Sequence, residues 1–170
     1  MLAAVTALGA LPGAAALQSS ETAWREIAWP FPRDGWPAGR AFRCDGGECR
    51  GIEVYLRPKL GFCNCDSGVA DDDEVDRVSD LDQISERFVP LRTGEPIRVA
   101  GMAGRVRAYD LQIPDETRRV AVGIAVSQRC NLMVAAAKGR GDATEVQRAA
   151  LEFLGSVKMS NWTTAAMAGR

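Results

Sequence analysis

Histidine is absent from this chain of 170 residues. That one absence removes Ser–His and Cys–His dyads, a histidine general base, imidazole metal ligands and c-type haem attachment. Any catalysis would have to rest on carboxylates, cysteine, tyrosine, lysine or arginine, and the chain is not expected to be an enzyme. Lysine is scarce: Lys59, Lys138 and Lys158 are the only lysines among 21 basic residues. The formal net charge of −1 argues against a nucleic-acid binder that works by neutralising phosphates. After residue 16 no apolar run is long enough to cross a bilayer, so the mature chain is expected to hold no transmembrane segment. Repeats, low-complexity linkers and C-x2-C knuckles are also missing.

What is present begins with residues 1–16, MLAAVTALGALPGAAA, a small-residue apolar stretch. Pro12 and Gly13 break it just before Ala14, Ala15 and Ala16, which resembles an A-x-A cleavage site. No basic residue precedes it, unlike a standard signal sequence. The reading is a signal peptide over 1–16 followed by a single globular domain over 17–170. That leaves about 150 residues, enough to bury a real core.

The mature part changes texture along its length. The text WPFPRDGWP, residues 29–37, holds aromatics between prolines and a turn at Asp34–Gly35. Proline blocks helix there, so an extended arm packing tryptophan onto the core is expected, ahead of an exposed aromatic platform. Next comes a hairpin. Cys44 leads into the turn Asp45-Gly46-Gly47-Glu48, then Cys49, and Ile52, Val54 and Leu56 alternate as in a half-buried strand that Pro58 ends. The acidic run from Asp71 to Asp76 reads as the start of a short helix carrying Val75, Val78, Leu81 and Phe88. It fails the calcium-loop pattern, since Val75 stands at a ligand position and no glycine follows. Strands are expected at 97–100 and 105–109, linked through Gly101 and Gly104, and at 120–126 and 132–137. Asp142 and Glu145 form a capping box for a last helix that Gly155 ends. Arg105 and Arg107 share one strand face and suit either an anion or a solvated edge. The fold class that follows is α+β, an antiparallel sheet with flanking helices and a disulfide-bearing N-terminal hairpin.

The text GMAGRVRAY, then an apolar strand pair, then EVQRAALEFLGSVKM, resembles the ending of PsbP-like and DcrB-like domains. It spans residues 95–160 at most and carries no functional residues over. The resemblance implies an α/β/α sandwich in an accessory protein of a membrane complex, generally without catalytic residues. The cysteine-rich hairpin and the C-N-C group lie outside that pattern.

There are five cysteines, Cys44, Cys49, Cys63, Cys65 and Cys130. An exported chain makes all five disulfide candidates. A simple hairpin sets Cys44 opposite Cys49, with Cβ atoms ~5 Å apart. Cys130 sits between two strands expected to be central, where a free thiol is a liability. It is therefore expected to bond Cys63 or Cys65. The alternative uses Cys44, Cys49, Cys63 and Cys65 as thiolate ligands for Zn or Cu(I), or Cys63 and Cys65 as a redox pair. The functional expectation is an exported, periplasmic or secreted, non-enzymatic accessory or binding protein without a cofactor. Its expected partner is a membrane-associated protein complex, not nucleic acid. The alternative is a thiol-based metal carrier or redox protein.

Overall fold

Three ten-residue strands form the middle of the sheet: β6 (Met102–Leu111), β7 (Arg119–Gln128) and β8 (Asn131–Arg140). The structure is a computed structural model and describes residues 23–113 and 119–169; the segment 1–16 read as a signal peptide lies outside the described residues. On one side the sheet continues through β3 (Glu53–Lys59), β2 (Arg40–Cys44) and β1 (Trp24–Ile27). On the other, β6 pairs with both β4 (Phe88–Pro90) and β5 (Glu95–Val99), giving eight antiparallel strands. The helices are α1 (Asp72–Val78), α2 (Ala143–Gly155) and α3 (Val157–Met167).

The runs VAVGIAV and LMVAAA are apolar without alternation because both sheet faces are covered. Val120, Val122, Ile124 and Val126 of β7, with Met133, Ala135 and Ala137 of β8, pack under α2 and α3 with Val146, Ala150, Phe153 and Met159. The intervening Ala125, Leu132 and Val134 pack under α1 with Val75 and Val78, and Ala121 and Ala136 pack with Tyr109 and Leu81. Helices on two faces of an antiparallel sheet give the expected α+β sandwich.

Several local expectations need correction. β3 runs through Pro58 to Lys59, with Pro58 opposite Met133. β2 begins at Arg40, opposite Leu56, so beyond Leu56 β3 is paired on one side only and tolerates a residue without an N–H. β3 is also not half-buried: Glu53, Tyr55, Arg57 and Lys59, on its second face, are 9%, 4%, 2% and 5% exposed. Gly104 lies inside β6, where a Cβ would approach the Ala125 carbonyl oxygen to 2.0 Å; the turn is made by Ala100 and Gly101, at φ 50° and 79°. Phe88 belongs to β4, because the helical turns stop at the 3-10 turn Leu81–Gln83. The helix after Asp142 is followed at once by α3, with Ser156 closing α2 through its N–H and capping α3 through its side chain.

Candidate functional site

β3 carries the most unusual chemistry of the fold. Its Arg57 and Lys59 point to the face opposite α2 and α3 and lie almost fully buried, side by side along one strand. Buried cations need partners, and two carboxylates supply them. Asp80 follows α1 in a left-handed conformation (φ 59°) and accepts from both cations, with Arg57 Nε at 2.7 Å. Lys59 also donates to the Val78 carbonyl at 2.9 Å, which caps the end of α1 with a cation. Asp34 receives both Arg57 terminal nitrogens in a two-point contact, at 2.9 Å for Nη1.

Asp34 comes from residues 28–39, the connection between β1 and β2, which crosses β3 as a strap. The expected turn is there: Gly35 has φ 91° and the Asp34 carboxylate accepts the Trp36 N–H at 3.2 Å. The aromatics of the strap face inward. Phe31 meets the Tyr55 ring edge-on at 4.7 Å, and Trp29 lies 5.7 Å from the Arg57 guanidinium. Trp36 and Phe62 together cover the Lys59 ammonium, at 5.8 Å and 5.7 Å from the ring centres. The packing arm is therefore the observed form. The large apolar side chains exposed nearby belong to the next loop, where Leu60 and Phe62 are 45% and 38% exposed.

Hydrogen bonding from Arg57 holds the Asp34 carboxyl down at about 2. Burial works against the charge of Arg57, but the bonds to Asp34 and Asp80 overcome it and raise its value. At the other end of β3, burial alone would raise Glu53. Tyr55, Arg43 and Lys138 all donate to it and hold it at about 2 instead. Burial and the Glu53 contact push the Tyr55 hydroxyl up.

The five cysteines are divided between the two ends of β3. Cys44 and Cys49 are bonded with Cα atoms 5.7 Å apart. Cys49, however, lies in the 3-10 turn Gly47–Cys49, and the residue hydrogen-bonded across from Cys44 is Ile52. Cys65 is bonded to Cys130 in the β7–β8 turn, with Cα atoms 4.2 Å apart. Cys63 is a buried thiol; its N–H donates to the Cys130 carbonyl at 3.0 Å, and burial pushes its thiol up. The disulfide thus staples the loop that carries Phe62 onto the sheet. The thiolate set Cys44, Cys49, Cys63 and Cys65 does not come together: its two halves flank the ends of β3, roughly 20 Å apart at strand rise. A raised, buried Cys63 is also a poor attacking thiol.

The acidic run and the arginines considered for calcium and anions neutralise each other. Asp71 caps α1 by accepting the Glu74 N–H. Asp72 accepts from Arg105 at 2.6 Å and from the Gly94 N–H at 2.9 Å. Asp76 accepts from Arg107 at 2.7 Å and from the Tyr109 hydroxyl. Sequence reasoning passed over Arg57, Lys59, Asp34 and Asp80. The one local signal was two cations at alternate positions of a strand; their partners lie 21 to 23 residues away in sequence.

Among the described residues no helix is long and apolar enough to cross a membrane. No family model matches the chain, and no curated protein matches it. A solved structure of a protein of unknown function from Pseudomonas aeruginosa is similar over 85% of this chain and 79% of its own, at 11% identity and a TM-score of 0.34. A likeness of that degree assigns neither a family nor a function.

Proposed function

We propose that this chain is an exported, non-enzymatic binding protein, an accessory component that folds outside the cytoplasm and serves a membrane-associated protein complex. The observation that carries this reading is the disulfide from Cys65 to Cys130, which bridges a separation of 65 residues and fixes a loop on the central hairpin. Such bonds form and persist in oxidising compartments. With the Cys44–Cys49 bond, four of the five cysteines are oxidised.

The lack of histidine supports the non-enzymatic part, since it removes the commonest general base. The resemblance to PsbP-like and DcrB-like domains supports the accessory role. Fractionation of the native host tests the proposal: the protein should appear in the extracytoplasmic fraction, and recovery with the cytoplasmic enzymes would sink it.

A further inference from the structure

The strap is held to the body by side chains. Among the described residues, no backbone hydrogen bond ties residues 28–39 to any other segment. Its hold is the Asp34–Arg57 pair and the rings of Trp29, Phe31 and Trp36. The opposite wall is different in kind, because the Phe62 loop is locked by the Cys65–Cys130 bond and by the Gly61 N–H donating to Asn131 at 2.8 Å. One wall is fixed by a covalent bond, and the other is held by side chains alone.

The floor between the walls is costly as pure structure. A buried ion cluster stabilises little more than apolar residues of the same size would. Asp80 is positioned by the left-handed backbone that ends α1, which turns its carboxylate toward both cations. If the strap lifts, Asp34 leaves with it. Arg57 and Lys59 then face a single carboxylate, Asp80, and the guanidinium fork of Arg57 is open. A planar fork that already holds one carboxylate by two bonds is built to hold another.

We propose that the floor formed by Arg57, Lys59 and Asp80 is a carboxylate-recognition site kept shut by its own strap, and that it accepts an acidic peptide segment of a partner. The strap shows what the segment should look like: a carboxylate for Arg57 and, two residues on, an aromatic ring to lie over Lys59 beside Phe62, as Asp34 and Trp36 do. The internal segment competes with the partner, so the measured affinity is the intrinsic one reduced by the fraction of open molecules.

This rests on the binding-protein reading, yet it is tested on purified protein, so its failure would leave the localisation standing and a cytoplasmic location would leave the binding result standing. The probe is a synthetic peptide of the strap sequence, PFPRDGWP, labelled at one end. Asp34→Ala removes the internal competitor's anchor and should bind the peptide at least about tenfold more tightly than the unaltered protein. The same peptide with asparagine for its aspartate should lose that gain. Equal binding by a scrambled peptide, or by succinate alone, would overturn the proposal. So would an Asp34→Ala protein with an unchanged circular-dichroism spectrum that binds no better. Should that variant not fold, excess peptide carrying a spin label should broaden the NMR signal of the Arg57 side-chain N–H in the unaltered protein, and a signal that stays sharp would overturn the proposal.

Discussion

Glu53 accepts from a hydroxyl, a guanidinium and an ammonium, and it has an acid-stability signature. Its folded value of about 2 lies below the ordinary 4.5. The unfolded chain therefore takes up the proton first, so the stability Glu53 contributes is present above pH ~4.5 and is lost as pH falls toward 2. With its side chain only 11% exposed, the shift corresponds to at most about 3 kcal/mol. Glu53→Gln should lower stability by about 1–3 kcal/mol at neutral pH and by almost nothing at pH ~2, in urea unfolding at both values. An equal loss at both would show that Glu53 acts by packing alone. Asp34, nearer the surface, keeps its charge in the folded protein until pH falls through about 2, so only there should its bond to Arg57 open and tryptophan emission shift while the sheet's circular dichroism holds. At this scale the sequence was least legible. Arg57 reads as the solvent side of a strand and Lys59 as lying past its end at Pro58, because nothing local announces that a proline-broken arm will cover them. Asp72 and Asp76 read as solvated for the same reason: Arg105 and Arg107 meet them only after the sheet has formed.

The two disulfides differ in what they constrain. In the loop-entropy model Cys130→Ser should cost about 2–4 kcal/mol, because a bridge across 65 residues is released, whereas Cys44→Ser opens a separation of only 5 and should cost less. Thermal unfolding of both variants checks the order, and a larger loss from Cys44→Ser would contradict it. A second constraint is steric. Gly123 of β7 sits under α1, and a Cβ there would lie 2.6 Å from the Ser79 hydroxyl and 2.9 Å from its Cβ. Gly123→Ala should therefore displace the end of α1 and cost about 1–3 kcal/mol by denaturant unfolding; an unchanged midpoint would mean that α1 packs loosely. Elements with strong local signals were readable: the Asp142 cap, the α2 stripe, and the apolar runs of β7 and β8. The helix α3 was not, since VKMSNWTTAAM carries no clean apolar stripe and buries Met159, Thr163 and Met167 among polar neighbours. Its start depends on Ser156, which serves two helices at once.

Across the whole molecule, the sheet order follows from the C-terminal strands. β6, β7 and β8 pair antiparallel in the order in which they follow one another along the chain, so their pairing is implied by sequence adjacency. The placement of β3 beside β8 is not, because those strands are far apart in the chain and their pairing closes the sheet. What joins the two halves chemically is the Cys65–Cys130 bond, and an oxidising compartment is the setting in which such a bond persists. The most direct measurement is the intact, non-reducing mass of the protein purified from its native host. The account predicts a chain beginning at Leu17 or within a few residues of it, lighter than its reduced form by four hydrogens, with one thiol that reacts only after denaturation. A chain retaining residues 1–16 with five reactive thiols would contradict it.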